Sequence, residues 1–300
     1  MTDIIIIGGG PAGLVAALYA RRANKSVLVI EKGTFGGQIT YSPKVENIPG
    51  FNSLSGNEFG EKLVEQVLFQ GAEVECAEVL EVIDGEVKTV VTDSGEFKAK
   101  AVIIATGAKH RMLGLPGEEK FVGEGISFCA VCDGAFYQDK NVAVIGGGNS
   151  ALQEALLLSD LAKKVYVVQN LDFLTGEEKL QEQLREKANV EVILSSVVKD
   201  LVGETELEGI VIEDNNGKQN TLIIDGMFVA IGLVPQNEMV KDLIKLDARG
   251  YVEADESCKT NKEGIFVAGD CRTKTVRQVV SAASDGAISA LAACDYLDKR

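Results

Sequence analysis

The sequence predicts an α/β protein of two Rossmann-like, three-layer ββα dinucleotide-binding domains, the second inserted into the first. Three observations predict it. Two stretches, IIIIGGGPAGLVAALYARR from Ile4 and VAVIGGGNSALQEALLLSDLAKKVYVVQN from Val142, each run an apolar strand through a glycine turn into a helix. Each is followed later by a strand that ends on a glycine, KAKAVIIATGA in the first case and GMFVAIG in the other. The C-terminal stretch GIFVAGDCR then supplies one more strand, followed by a long helix of small residues. That is a return to the first sheet, not a third domain. A length of 300 residues suits two domains. Proline and glycine punctuation at Leu115 to Gly117 and at Pro235 sets the boundaries: residues 1–115 and 237–300 form the first domain, and residues 116–236 the inserted one.

In the first opening, Gly8, Gly10 and Gly13 hold G-x-G-x-x-G spacing, with Pro11 and Ala12 between the last two. Gly8 serves the tight turn, Gly10 lets the backbone approach a pyrophosphate, and Gly13 lets the helix pack closely. The helix N-terminus offers its free N–H groups to the anion. Glu31 closes the next strand, SVLVIE, where an acid grips an adenosine ribose. The second opening repeats the pattern with Gly146, Gly148 and Ala151, and Gln169 stands as far past Ala151 as Glu31 stands past Gly13. Gln169 is neither an acid for a free ribose hydroxyl nor an arginine for a 2′-phosphate. The next arginine, Arg185, falls in a predicted helix.

Composition excludes several classes of function. A chain that is 46% hydrophobic and 25% charged is globular, not disordered. A net charge of −15 opposes binding to nucleic acid or to an anionic membrane surface. The chain enters a strand at once with no basic leader, and its apolar runs fall short of the roughly 20 residues of a membrane span, so the expected location is the cytoplasm. Cys129 and Cys132 form a C-x-x-C, which closes a disulfide at low strain and, at a helix start, favours the thiolate that exchange requires. Cys76, Cys258, Cys271 and Cys294 are scattered and read as packing residues. His110 is the only histidine, so a zinc site lacks its second ligand pair and no metal is expected; His110 itself reads as a surface residue.

Seven segments stand in order along the chain: GGGPAG, GGQI followed by VENIPG, ATGA, CAVCDG, GGGNSA, GIFVAGDCR and RQVVSAASDG. With them the chain resembles, end to end, the low-molecular-weight thioredoxin reductases of the flavoprotein disulfide reductase class. The resemblance implies FAD in the first domain, a redox disulfide in the inserted one, thioredoxin as partner, and a homodimer. It puts Gly8 to Gly13 and Glu31 on the ADP half of FAD, and Gly36, Gly37, Gln38 and Asn47 along the pyrophosphate and isoalloxazine. It gives Val79 a backbone contact to adenine, and Thr106 and Gly107 a turn closing over the cofactor. Gly269 and Asp270 meet the ribityl or pyrophosphate portion, and Gln278 and Val279 approach the ring. Asn47, Thr106 and Gln278 have a plainer alternative as turn or capping residues. The resemblance further implies that Cys132 faces the flavin, Cys129 attacks the partner disulfide, and Asp133 gives and takes the proton.

One departure bears on the electron donor. NADPH-linked members carry a basic H-R-R-x-x-x-R-like cluster where this chain reads VVQNLDFLTG. The chain is similar instead to the subgroup that has lost the nicotinamide site and draws electrons from ferredoxin. Ferredoxins are usually acidic, so Lys109, Arg111, Lys274 and Arg277 are expected to supply a local basic face. Three readings compete with this one: a nicotinamide enzyme with atypical contacts at GGGNSA, a flavin-linked dithiol oxidase, and a non-catalytic flavin protein. The intact C-x-x-C disfavours the last.

Overall fold

Four consecutive isoleucines, Ile4 to Ile7, lie buried at the end of strand β1 (Thr2–Ile7), as a strand apolar on both faces must inside a parallel sheet. The computed structural model describes residues 1–42 and 45–300. From β1 the chain turns through Gly8 to Gly10 into α1 (Pro11–Arg22), which opens on a proline whose missing N–H costs nothing there. Then come β2 (Val27–Glu31), α2 (Gly56–Phe69), β3 (Glu73–Cys76), and a meander of β4 (Val79–Ile83), β5 (Lys88–Thr92) and β6 (Gly95–Ile104). The sheet order is β3-β2-β1-β6-β5-β4. Strand β6 serves two layers: its N-terminal half pairs antiparallel with β5, and its C-terminal half pairs parallel with β1.

After β7 (Ala108–His110) the pattern recurs with β8 (Ile126–Ser127), α3 (Ala130–Asp133), β9 (Asn141–Ile145), α4 (Asn149–Ser159), β10 (Lys164–Val168), α5 (Glu178–Arg185) and β11 (Val190–Ile193). An antiparallel trio follows, β12 (Ser196–Val202), β13 (Gly209–Asp214) and β14 (Gln219–Ile223), and then β15 (Gly226–Val229). The parallel order in this part is β11-β10-β9-β15-β8. The chain leaves through β16 (Leu233–Pro235) and ends with β17 (Ile265–Val267), parallel to β6, and α6 (Val279–Asp298), whose small residues pack on the alanines of α1. Both parts are therefore α/β, built on parallel sheets, as the paired glycine openings indicate.

Two compact units result, Met1–Lys109 with Val234–Arg300, and His110–Leu233. The crossings fall in β7 and β16: the first lies ahead of the turn at Leu115 to Gly117, and the second lies beside Pro235. The reason for the first is Glu118, only 2% exposed, whose carboxylate accepts the N–H groups of Leu113, Gly114 and Leu115 at 2.9, 2.8 and 3.2 Å. Leu113 and Leu115 pack into the core of the second unit, so the stretch before Pro116 already belongs to it.

Candidate functional site

The first glycine turn is built for close backbone approach. Gly8 has φ +114°, and a Cβ there would lie 2.3 Å from the Ala105 carbonyl oxygen; a Cβ on Gly13 would lie 1.9 Å from the Gly8 oxygen. Neither position admits a side chain. Gly10 differs, since its nearest neighbour to a Cβ is Gly37 Cα at 3.8 Å, which leaves the loop open above it. Glu31 ends β2 with its carboxylate accepting the Gly9 and Gly33 N–H groups, both at 2.7 Å. Gly36 donates its N–H to the Gly9 oxygen at 2.8 Å, which draws Gly36 and Gly37 over the turn. Gln38 donates to the Ala108 carbonyl. Val79 begins β4 with its side chain buried, two residues beyond Ala77, whose N–H donates to the Glu31 carbonyl.

Of the other predicted residues of this unit, Asn47, Gln278 and Val279 meet at the start of α6. Asn47 Nδ2 donates to Gln278 Oε1 at 3.2 Å, so these two meet. Gln278 is also the N-cap of α6, its N–H donating to Ser281 Oγ at 3.1 Å, so the plainer capping role is filled as well. Val279 packs with Val45, Ile48, Leu54 and Phe59. Thr106 Oγ1 donates to Asn237 Oδ1 at 3.0 Å, and Gly107 beside it takes φ +69°. Gly269 and Asp270 form a one-turn 3₁₀ helix whose Gly269 N–H donates to Asp285 Oδ2 at 3.0 Å. Asp270 Oδ1 is buried without a hydrogen-bond partner, and burial raises its carboxyl pKa although Lys274 and Arg277 oppose the shift. A buried acceptor with no donor of the chain's own calls for one from outside, such as a ribityl hydroxyl. With the open floor at Gly10 and the acid at Glu31, the residues present fit a flavin dinucleotide.

In the second unit Cys129 and Cys132 form a disulfide with Cα atoms 5.3 Å apart. Cys129 is the N-cap of α3, and the Cys132 N–H donates to its Sγ at 3.2 Å. Asp133 closes that helix. Its Oδ2 accepts the Ser127 hydroxyl at 2.6 Å, its Oδ1 is buried without a partner, and burial lifts its carboxyl pKa while Ser127 pulls it down. His110 is not the surface residue expected: its ring stacks on Phe128 with centroids 4.7 Å apart, and burial lowers its pKa to about 4, so it is neutral. Cys271, beside Asp270, is wholly buried, its thiol pushed up by burial, which rules out a ready thiolate.

Against known proteins, the family model described as pyridine nucleotide-disulphide oxidoreductase matches residues 2–286. The chain belongs to that family. It is 44% identical to the 34.2 kDa protein in the rubredoxin operon of Clostridium pasteurianum, over 98% of this chain and 97% of that one. It is 42% identical to the thioredoxin reductase of Listeria monocytogenes, over 99% of this chain and 94% of the other. The crystal structure of thioredoxin reductase from Streptococcus pyogenes superposes with a TM-score of 0.94 at 41% identity, covering 100% of this chain and 99% of that one. As a pyridine nucleotide-disulphide oxidoreductase of this type, the chain is a flavoprotein disulfide oxidoreductase whose cofactor is FAD.

The family name makes the second glycine turn the informative one. Its backbone is intact, with Gly146 at φ +130°. Gln169, 5% exposed, folds back over it: a Cβ on Gly147 would lie 2.6 Å from Gln169 Cδ. Glu31 accepts N–H groups at the matching place, whereas Gln169 turns its Nε2 to the Phe173 carbonyl at 3.3 Å. The Thr175 and Gly176 N–H groups donate to the Gly147 oxygen at 2.8 and 2.9 Å. Leu171 and Phe173 stand exposed in this segment, which holds no arginine or lysine between Gln169 and Glu178.

Two groups escaped the sequence reading. Asn237, buried, accepts from Thr106 and donates to the Gly250 and Cys271 carbonyls, both at 2.8 Å, which ties the ATG turn to the Gly269 turn; an asparagine past a Pro/Gly return carries no signal for this. The other is Asp285, which holds Arg272 in a two-pronged pair at 2.9 Å for each contact and Lys274 at 2.9 Å. The signal was present, because an acid set among the small apolar residues of the first half of a helix must be paired to be buried. Lys274 therefore does not serve a basic face, and Arg277 lies over the Tyr251 ring, 4.4 Å from its centroid; of the four expected cations, Lys109 and Arg111 remain exposed. Among the described residues, no helix is long and apolar enough to cross a membrane.

Proposed function

We propose that this flavoprotein is a homodimeric thioredoxin reductase whose electrons come from reduced ferredoxin. The observation that carries the thioredoxin reading is the Cys129–Cys132 disulfide beside the buried Asp133 carboxyl, in a chain similar to named thioredoxin reductases. Gly8 to Gly13, Glu31, Gly36, Gly37 and Asp270 would hold FAD. Bound FAD supplies the exchange between single-electron and paired-electron chemistry that a ferredoxin donor and a disulfide acceptor require. Two electrons and two protons convert the disulfide to a dithiol. Cys129 Sγ then bonds to one sulfur of thioredoxin as the thioredoxin disulfide breaks, and the departing sulfur takes a proton. Cys132 next attacks Cys129 Sγ, the mixed disulfide breaks, and the second thioredoxin sulfur leaves as the Cys129–Cys132 bond re-forms. Asp133 serves as the local proton store: burial raises its pKa, so it keeps a proton to higher pH than an exposed carboxyl.

Gln169 supports the donor reading. An amide turned away toward Phe173 offers a ribose no charge-assisted contact, and each such contact is worth about 1.5 to 3 kcal/mol, or tenfold or more in affinity. The intact turn at Gly146 favours a second reading, a nicotinamide donor held by backbone contacts alone. Anaerobic mixing separates the two. The oxidised enzyme is mixed in turn with NADPH, NADH and photoreduced ferredoxin while flavin absorbance is followed, and thioredoxin is added afterwards. Only ferredoxin is expected to bleach the flavin within seconds and to sustain thioredoxin reduction. Rapid bleaching and turnover with millimolar NADPH or NADH would establish the second reading instead.

A further inference from the structure

Ser127, in the two-residue strand β8, has no place in the chemistry so far, yet its hydroxyl is fully engaged. The residue is 5% exposed. The Cys129 N–H donates to Ser127 Oγ at 3.1 Å, and Ser127 Oγ donates to Asp133 Oδ2 at 2.6 Å. The two contacts together orient the hydroxyl. One of its two lone pairs takes the Cys129 N–H, and its proton goes to Asp133 Oδ2, which accepts it. With that hydrogen bond kept when the carboxyl is neutral, the proton sits on Oδ1, the buried oxygen with no partner.

We propose that Ser127 is a positioning residue for proton transfer: held by the Cys129 N–H, it makes one Asp133 oxygen an acceptor and leaves the other to carry the proton delivered to a departing thiolate. The inference rests on the reading of Asp133 as the proton store and adds to it which oxygen acts and what sets it. The proton leaves Oδ1 for sulfur and returns when the next thiol ionises, so none is gained or lost over the cycle. The Ser127 hydrogen bond strengthens as Asp133 becomes a carboxylate, which eases release; the same bond opposes the effect of burial on the carboxyl.

Few other groups titrate near by. Burial and the charges of Asp133, Glu124, Asp225 and Glu206 push the Tyr137 hydroxyl up to about 12, and Lys140 lies 5.6 Å from the centroid of the Tyr137 ring. His110, on Phe128, is neutral above about pH 4. On α4, which packs against α3, burial raises the Glu154 carboxyl to about 7, and its Oε2 is buried without a partner; the two thiols of α3 after reduction titrate as well, and ultraviolet thiolate absorbance follows them separately.

The test is single-turnover exchange. Pre-reduced, flavin-loaded enzyme is mixed with oxidised thioredoxin across a pH series, for wild type, Ser127→Ala, Ser127→Thr and Asp133→Asn. Loss of the acid form makes the rate fall on the alkaline side. Ser127→Ala removes a donor to the carboxylate, so that limb is expected to move to higher pH by about one unit, the size of one hydrogen bond to a charged group. Ser127→Thr restores the wild-type profile. An aromatic disulfide, whose leaving thiolate needs no proton, should react alike with wild type and Ser127→Ala. Infrared detection of the Asp133 carboxyl in wild type reads the same hydrogen bond without a substitution, with its C=O stretch lowered by the Ser127 donor. A limb lost in Asp133→Asn but unmoved in Ser127→Ala, or a C=O stretch of a free carbonyl, overturns the inference alone. A limb retained in Asp133→Asn overturns the reading of Asp133 and this inference with it.

Discussion

Serine in place of Cys129 or Cys132 is expected to lower thioredoxin reduction by about three orders of magnitude or more, because exchange needs both an attacking and a resolving thiol. The two variants should part company on what they trap. Cys132→Ser keeps Cys129, whose Sγ stands at the N-cap of α3 where the residue 132 N–H supports a thiolate, so it should form a lasting mixed disulfide with oxidised thioredoxin. Cys129→Ser should trap far less. Intact-mass measurement of the covalent adduct under non-reducing conditions reads this directly. Near-normal turnover by either variant would refute the dithiol mechanism, and an adduct formed only by Cys129→Ser would reverse the roles of the two thiols.

The second large effect is on stability. Asp285→Ala leaves Lys274 without its carboxylate and Arg272 with only the longer 3.4 Å contact to exposed Glu256, while their side chains stay buried, at 6% and 2% exposure. Removing one partner of a buried ion pair typically costs about 3 to 5 kcal/mol. At about 2 to 4 °C per kcal/mol for a unit of this size, the thermal midpoint should fall by roughly 10 °C. Flavin should also be held less firmly, since the Gly269 N–H loses its acceptor beside Asp270. Burial alone would push the Asp285 carboxyl up, but hydrogen bonds from Arg272 and Lys274 bring it below its ordinary value. The folded-state pKa is thus depressed: its stabilisation is complete above the unfolded carboxylate pKa and is lost as pH falls through the folded value. Wild type should therefore lose more stability than Asp285→Ala on acidification through that range. Thermal scans at neutral and acid pH check both claims, and an Asp285→Ala midpoint within a degree or two of wild type would show that the cluster contributes little.

How much of this was legible beforehand depended on the range of the interaction. The glycine turn needs φ +114° at Gly8 and a bare Cα at Gly13 within a few residues of each other, so the spacing itself carries the geometry. Glu31 and Gln169 were legible because each stands at the end of the strand that follows the turn's helix, and a strand parallel to the first ends beside the turn by construction. The C-x-x-C is legible for the same reason, since one helical turn brings its ends together. By contrast, His110 was misread because its burial comes from Phe128, which no local pattern pairs with it. The first unit crossing lies ahead of the Pro116 turn because a buried Glu118 gathers three backbone N–H groups across a stretch that looks like punctuation.

By itself, then, the sequence determined the α/β class, the two glycine turns, the acid at Glu31, the thiol pair and the missing charge at Gln169, all features set by neighbouring elements of one strand-turn-helix-strand run. Only the tertiary structure decided which polar groups face one another across the chain: Asp285 with Arg272 and Lys274, Asn237 with Thr106, Asn47 with Gln278, and Ser127 between Cys129 and Asp133. The physical reason is that a buried hydrogen bond is specified by where two elements pack, and a single charged or polar residue read in sequence announces that it needs a partner without saying which one it will meet.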